Sequence, residues 1–159
     1  MVKTLVSPDK LSPMNFQARQ AKLREHLATT RFDGLLISHL PNIRYLCGFT
    51  GSAGMLLVEE GGSVFFTDVR YDTQAHEEVQ AAKVVISRKG ALPSLGEWLG
   101  ARRKRARGWA IAIESEHFAI AEKKRLSQVR PVAVSRLGKA AAQEHSLTCQ
   151  FPRRKIRPK

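Results

Sequence analysis

The chain has 159 residues, of which 27 are lysine or arginine and 14 are aspartate or glutamate, giving a net charge of +13. This length excludes two full-sized domains but suffices to bury a hydrophobic core, and two cysteines exclude the disulfide framework of a small secreted protein. No apolar run approaches the roughly 20 residues of a membrane span, and residues 1–13 lack the features of a signal peptide, so the composition predicts a soluble cytoplasmic protein.

The predicted elements begin with a helix, a strand and a second helix. Ser12 is a good N-cap, and the apolar residues after it recur at helical spacing, which predicts an amphipathic helix over residues 13–30. Residues 32–38 are an apolar run of strand length. A short helix is predicted over residues 42–47 and ends at Gly48, because glycine readily adopts the left-handed conformation that follows many helices.

A β-hairpin is predicted next, after a glycine-rich turn at residues 49–54. Its strands cover residues 55–59 and 63–68. Gly61 and Gly62 predict a two-residue loop between the strands, since glycine tolerates the positive φ that tight hairpin turns need.

Helices and strands alternate through the rest of the predicted domain. Their order is helix 71–80, strand 83–87, helix 92–107, strand 109–113, helix 119–128 and a short strand 132–134. This alternation, together with the hairpin, predicts an α/β domain with a mixed sheet of five or six strands and helices on both faces. The domain is predicted to span residues 12–136, between a flexible arm, 1–11, and a basic, disordered tail, 137–159.

The positive charge is concentrated in two clusters, residues 102–107 and 153–159, with five basic residues each. Removing these ten charges from the +13 leaves +3 for the rest of the chain. An excess of basic residues suggests nucleic acid or an acidic membrane surface as a partner. Only Trp98 and Trp109 flank the first cluster, whereas base stacking needs aromatic residues interleaved with the charge. The favoured interpretation of the first cluster is therefore a solvated helix end, where cations suit the helix dipole.

Three side chains near the end of the hairpin could bind a divalent metal. Asp72 and His76 are four residues apart on one helical face, with Asp68 just before them, and carboxylate and imidazole groups are metal ligands. The favoured alternative is a capped helix, in which Asp68 accepts hydrogen bonds from the free amides of the first turn and the other two side chains face water.

Nucleophilic catalysis needs a base within reach of the nucleophile. Cys47 and His39 are eight residues apart without a catalytic motif around either. Cys47 is therefore predicted to be a small buried hydrophobic residue, and His39 a loop residue.

Two segments, NIRYLCGFTGSAG at residues 42–54 and SVFFTDVRY at residues 63–71, resemble the N-terminal domain of the creatinase, prolidase and Xaa-Pro aminopeptidase family. The family pattern is an N-x-x-Y-L-x-G-F-x-G-S loop, a hairpin and a T-D-x-R-Y segment. The resemblance extends over residues 15–134 and implies a single three-layer α/β domain with a ribonuclease-H-like motif. Val69 and Cys47 depart from it, since glycine is common at the first position and serine or threonine at the second.

The resemblance also implies what the chain lacks. Family members are longer and carry a C-terminal pita-bread domain, which in the peptidases holds two divalent metal ions through two Asp, one His and two Glu. We expect that domain to be absent from this chain. We therefore expect a truncated or separately encoded N-terminal domain that holds no cofactor, no metal and no catalytic residue, and has no aminopeptidase activity on its own.

In the resembled family, this domain supports oligomers and lends loop residues to the rim of an active site, often that of a neighbouring subunit. The expected partner is thus a second copy of the chain or a catalytic-domain chain, and nucleic acid bound by the two basic clusters is the alternative. Phe49 is expected to pack on the partner, and Asp68 with Arg70 to pin the hairpin to the following helix. The candidate residues are the interaction loop, Phe49, Thr50, Gly51, Ser52, Ala53 and Gly54, and the structural motif residues Asn42, Tyr45, Gly48, Asp68, Arg70 and Tyr71.

Overall fold

A computed structural model describes residues 15–102, 109–114, 116–117 and 124–126, and the backbone of residues 132–136. The predicted arm and tail lie outside these residues, as do Ser12 and most of both basic clusters. In chain order the elements are α1 (Phe16–Ala28), β1 (Gly34–Ile37), α2 (Leu40–Cys47), β2 (Met55–Glu59), β3 (Gly62–Asp68), a 3-10 turn (Val69–Tyr71), α3 (Asp72–Glu78), β4 (Lys83–Ser87), α4 (Ala91–Ala101), β5 (Trp109–Ile113) and β6 (Val132–Arg136).

The six strands form one mixed sheet in the order β4-β3-β2-β1-β5-β6, which confirms the predicted fold class. Strand β2 is antiparallel to β1 and β3, while the other neighbouring pairs are parallel. Strand β2 therefore starts at the edge of the sheet where the other five strands end. The loop before β2 and the segment after β3 meet at that edge.

Two hydrophobic clusters cover the two faces of the sheet and make three layers. Neighbouring residues of a strand point to opposite faces, so Leu56 packs with α1, α2 and α3 on one face, and Leu57 packs with α4 on the other. Both side chains are fully buried. Burial on both faces explains why the central strands appear in the sequence as continuous apolar runs.

The predicted end of α2 is confirmed, whereas α1 begins a few residues later than predicted. Helix α2 ends at Gly48, whose φ of 88° is the left-handed cap predicted for it. Helix α1 begins at Phe16, with Asn15 as its N-cap, and the Asn15 side chain accepts a hydrogen bond from the amide of Ala18 at 2.9 Å. A short polar side chain of this kind satisfies one of the free amides of the first turn.

The hairpin loop is displaced by one residue from its prediction. Glu60 and Gly61 form the turn, and Gly62 already belongs to β3, where it pairs with Glu59 at a φ of 143°. This register keeps Leu57 opposite Val64 in the core. A shift by one residue would turn these side chains to the other face of the sheet.

The predicted helix over residues 92–107 is too long, because α4 ends at Ala101. The indole N–H of Trp109 donates to the carbonyl groups of Leu99, at 3.1 Å, and Arg102, at 2.9 Å, so β5 satisfies the free carbonyls of the helix end. Arg102 lies beyond the helix and not on its last turns, and residues 103–107 are outside the described residues.

The other predicted elements differ mainly at their ends. The helix predicted at 71–80 corresponds to α3 at 72–78, and the 3-10 turn precedes it. Of the helix predicted at 119–128, residues 124–126 are described and are helical, and the last strand extends to Arg136. In the part of the chain with described coordinates, no helix combines the length and the apolar composition that crossing a membrane requires.

Candidate interaction site

Two motif segments meet at the edge of the sheet where β2 begins. The interaction loop, residues 49–54, leads from α2 into β2, and residues 68–71 follow the buried part of β3. Met55 pairs with Phe66 in the antiparallel ladder, so the start of β2 lies beside the end of β3. The topology thus brings together residues that are about 20 positions apart in the sequence.

Aromatic rings hold the base of the interaction loop. Phe49 is only 1% exposed, and its ring centroid lies 4.5 Å from that of Phe65 and 5.6 Å from that of Tyr71. A Cβ atom on Gly51 would lie 2.4 Å from the Phe49 ring and 2.9 Å from the Tyr71 ring, closer than real Cβ atoms approach. The prediction that Phe49 packs on a partner is wrong, because its side chain belongs to the core of its own domain.

Hydrogen bonds tie the loop to β3 and to the segment after it. The hydroxyl oxygens of Ser52 and Tyr71 are 2.5 Å apart, and the hydroxyl of Thr67 donates to the carbonyl oxygen of Ala53 at 2.6 Å. Gly54 is packed so closely that a Cβ atom there would lie 2.4 Å from the Phe65 ring. The loop is therefore fixed to its own domain along most of its length.

Thr50 is held by Glu78, a residue that the sequence did not single out. Glu78 Oε2 accepts the Thr50 amide at 2.7 Å, and the Thr50 hydroxyl lies 2.7 Å from Oε1 and 2.9 Å from Oε2. Gln74 Nε2 donates to Thr50 Oγ1 and to Glu78 Oε1, both at 3.0 Å. The one sequence signal for this contact is the spacing of four between Gln74 and Glu78, which places both on one face of α3.

The surroundings of Glu78 favour its ionised form. Burial of the carboxyl group raises its pKa, but the hydrogen bonds from the Thr50 hydroxyl and amide, the hydrogen bond from Gln74 and the positive charge of Arg44 together lower that pKa below its ordinary value. The group that anchors Thr50 is thus a carboxylate at neutral pH.

Asp68 and Arg70 form a compact pair at the end of β3. Asp68 Oδ1 accepts the Arg70 amide at 3.0 Å, as the N-cap of the 3-10 turn, and also accepts from Arg70 Nε at 2.9 Å. Asp68 Oδ2 accepts from Nη2 at 2.8 Å. The Arg70 side-chain hydrogen bond lowers the pKa of Asp68, and the carboxylate in turn raises the pKa of Arg70. The capping role predicted for Asp68 is confirmed.

The structure does not bring Asp68, Asp72 and His76 together in an arrangement that could hold a metal ion. Both carboxylate oxygens of Asp68 are bound to Arg70, while His76 Nδ1 lies 2.8 Å from the carbonyl oxygen of Asp72 and 3.1 Å from its carboxylate. Among the residues with described positions, no three His, Cys, Asp or Glu side chains are grouped so that they could hold a metal ion.

The remaining motif residues lie on or beside α2. Asn42 Nδ2 donates to Glu114 Oε1 at 2.6 Å, which ties the start of α2 to the end of β5. Tyr45 is 39% exposed, and the guanidinium carbon of Arg19 lies 4.1 Å from its ring centroid, a cation–π contact. Gly48 could not carry a Cβ atom, because that atom would lie 2.9 Å from the carbonyl oxygen of Glu78.

Cys47 and His39 lie at opposite ends of α2. Cys47 is fully buried, and burial raises its pKa to about 11, against the smaller opposite effect of a hydrogen bond from the Phe49 backbone. The prediction of a buried hydrophobic residue is confirmed. His39 lies immediately before α2 as its N-cap, where its ring stacks on that of His117 with the centroids 3.7 Å apart.

Four exposed residues form the outer surface of this site, which we call the edge surface: Thr50, Ser52, Val69 and Arg70. Val69 is 49% exposed, and the Arg70 side chain is 72% exposed. The edge surface thus combines one apolar side chain, one guanidinium group and two hydroxyl groups. Its backbone is held by ring contacts and hydrogen bonds within the domain.

One residue of the first basic cluster is described. Arg102 Nη1 lies 2.8 Å from Oε1 of Glu59, whose side chain is buried, and its guanidinium carbon lies 4.2 Å from the ring centroid of Trp98. Lys83 Nζ lies 5.0 Å from the same centroid. Arg102 therefore makes contacts within the domain.

Comparison with known proteins identifies relatives of this arrangement. A family model described as "Creatinase/Prolidase N-terminal domain" matches residues 19–142. The chain is 39% identical over 64 residues to the uncharacterized peptidase YqhT of Bacillus subtilis, a match that covers 40% of this chain and 18% of that protein. It is 26% identical over 129 residues to the "Probable Xaa-Pro aminopeptidase P" of Arthroderma otae, covering 73% of this chain and 20% of the relative. The matches thus span about a fifth of the length of these relatives.

Solved structures share the fold. The N-terminal domain of the cytoplasmic peptidase PepQ from Mycobacterium tuberculosis is 31% identical with a TM-score of 0.64, and the match covers 80% of this chain and 98% of that one. The creatinase/prolidase-like N-terminal domain of a Corynebacterium diphtheriae protein is 28% identical with a TM-score of 0.67, and the match covers 77% of this chain and 96% of that one.

Proposed function

Because the chain belongs to the creatinase/prolidase N-terminal domain family of peptidase-related proteins, we propose that it is a non-catalytic module that acts through contacts of its edge surface. The partner is a second copy of the chain or a catalytic domain of Xaa-Pro aminopeptidase type, whose active-site rim the interaction loop helps to shape. The divalent metal ions of such a catalytic domain belong to the partner in this proposal.

One observation carries the proposal, the bond between the Ser52 and Tyr71 hydroxyl groups. It joins the two motif segments into one continuous surface with a fixed backbone, and a fixed surface loses little conformational entropy when a partner binds. Val69 and Arg70 project from that surface. An exposed apolar side chain beside an arginine is a composition typical of interaction surfaces.

The candidate catalytic groups of the chain also support a non-catalytic role. Asp68 is occupied by Arg70, and Cys47 is buried with its pKa raised to about 11, which makes it a poor nucleophile at neutral pH. In an assay of the purified chain with Mn²⁺ or Co²⁺ and X-Pro peptides, we expect no hydrolysis. Metal-dependent turnover by the chain alone would show the proposal to be wrong.

The contact role is tested by sedimentation velocity of the chain over a range of concentrations. We expect association that Val69→Asp weakens, because a carboxylate at the centre of an apolar contact must lose its hydration. Gly61→Asp is the matched control, since it adds the same charge to the hairpin turn at the opposite edge of the sheet. Equal association of the two variants would contradict a contact through the edge surface.

Nucleic-acid binding is the second candidate function. The observation in its favour is the net charge of +13, of which ten charges lie in the two basic clusters, since clustered basic residues bind the phosphate backbone. Affinity for single-stranded DNA that falls steeply as salt is raised would support it. Binding that is lost when residues 150–159 are deleted, but kept in Trp98→Leu, would assign the affinity to the tail.

A further inference from the structure

The interaction loop, which carries Thr50 and Ser52 of the edge surface, is anchored at Thr50 by one side chain of α3. We propose that Glu78 is the positioning residue of this loop: its carboxylate holds Thr50, and with it the loop part of the edge surface, in the conformation that meets the partner. The role of Glu78 in partner binding rests on the proposed function. The contacts between Glu78 and Thr50 do not depend on it.

The Glu78 carboxylate accepts hydrogen bonds from two donors of Thr50. Glu78 Oε2 accepts the Thr50 amide at 2.7 Å, and Oε1 lies 2.7 Å from the Thr50 hydroxyl. An ionised carboxylate has two acceptor oxygens and accepts from the Thr50 amide, the Thr50 hydroxyl and the Gln74 side-chain amide together. A glutamine side chain has one oxygen with two lone pairs, so it cannot accept from all three donors.

Gln74 completes the arrangement one turn earlier on α3. Its amide nitrogen donates to Thr50 Oγ1 and to Glu78 Oε1, each at 3.0 Å. The Thr50 hydroxyl thus donates to the carboxylate and accepts from the amide. With both roles filled, the hydroxyl has a single preferred orientation, which restricts the Thr50 side chain.

The end of α3, which carries Glu78, is itself held against α2. The amide of Gln80, two residues after Glu78, donates to the carbonyl oxygen of Cys47 at 2.8 Å. The carbonyl oxygen of Glu78 lies so close to Gly48 that a Cβ atom there would be 2.9 Å from it. The end of α3 therefore packs against the end of α2, directly before the interaction loop, so Glu78 holds Thr50 from a fixed position.

The test uses the full 159-residue chain with Glu78→Gln, and Glu77→Gln as the matched control. Both variants make the same change of charge and shape on neighbouring residues of α3, but only Glu78 contacts Thr50. We expect hydrogen exchange of the residue 50 amide, measured by NMR, to be about tenfold faster in Glu78→Gln. The control should exchange at the wild-type rate, and equal rates in wild type and Glu78→Gln would overturn the inference.

Gln74→Ala provides a second variant that leaves the carboxylate in place. It should accelerate exchange at residue 50 severalfold, less than Glu78→Gln does, because the amide keeps its ionised acceptor, and hydrogen bonds to ionised acceptors are the stronger ones. If Gln74→Ala had the larger effect, the main anchor would be Gln74 and the inference would be wrong.

Sedimentation of the same proteins separates this inference from the proposed function. If wild type and Glu77→Gln associate and Glu78→Gln does not, both are supported. If Glu78→Gln exchanges faster at residue 50 and wild type remains a monomer that binds no catalytic partner, the positioning role stands and the proposed function fails. If residue 50 exchanges equally in all three, the positioning role fails whatever the association.

Discussion

The Ser52 and Tyr71 hydroxyl oxygens lie 2.5 Å apart although 19 positions separate the two residues in the chain. The contact exists because β2 and β3 form an antiparallel pair that returns the chain to the edge from which it left. The same ring of Tyr71 also packs edge-on against Phe49. One side chain thus links the core, the interaction loop and the segment after β3.

Tyr71→Phe tests this link while it keeps the ring contact. Loss of the hydroxyl removes one hydrogen bond to a partly exposed group, so we expect the free energy of unfolding to fall by about 1 kcal/mol or less. Hydrogen exchange within residues 51–53 should accelerate more than exchange in β2. Tyr45→Phe is the control, because the Tyr45 ring contacts Arg19 through its face. Equal exchange in both variants would contradict the role of the Tyr71 hydroxyl.

Gly51→Ala tests how closely the loop is packed. The added methyl group would meet the Phe49 ring at 2.4 Å and the Tyr71 ring at 2.9 Å, so one of these rings must move. Overpacking of this kind costs about 1–3 kcal/mol, which urea unfolding would report as a lower midpoint. Gly61→Ala is the matched control, since no atom lies within 4 Å of a Cβ atom there, and we expect its midpoint to equal that of the wild type or exceed it slightly.

The sequence predicts the sheet better than it predicts the loop contacts. Strands β2, β4 and β5 have their predicted bounds, 55–59, 83–87 and 109–113, because a buried strand is a short apolar run between residues that favour turns. The end of α4 was not predictable in this way. It depends on the indole of Trp109, which binds the carbonyl oxygens of Leu99 and Arg102 only once β5 has joined the sheet.

The candidate site shows the same division between local and long-range information. The cap formed by Asp68 was predictable, because it binds a residue only two positions away. The bond between Thr50 and Glu78 spans 28 positions and depends on how α3 packs against the end of α2. The burial of Phe49 likewise depends on Phe65 across the sheet, so its exposure could not be judged from the glycine-rich sequence around it.

The acid sensitivity of the site follows from Glu78 and Asp68. Both have pKa values below their ordinary values of 4.5 and 3.8, so each carboxylate stabilises the folded chain above its unfolded-state pKa. That contribution is lost as the pH falls through the lower, folded-state pKa. We expect the urea midpoints of wild type and Glu78→Gln to differ most at neutral pH and to converge below about pH 4. A difference that is constant from neutral pH down to about pH 3 would contradict the stabilising role of the Glu78 carboxylate.

Cys47 provides a chemical probe of global unfolding. Its thiol is fully buried, and burial raises its pKa to about 11, so at pH 8 Cys47 presents almost no reactive thiolate in the folded chain. We expect the Cys149→Ser variant, in which Cys47 is the one remaining cysteine, to react with a disulfide reagent only as fast as the chain opens. Urea near the unfolding midpoint should then raise the labelling rate by orders of magnitude. Rapid labelling of Cys47 without denaturant would contradict this expectation and would show that the contact between α2 and the sheet opens locally.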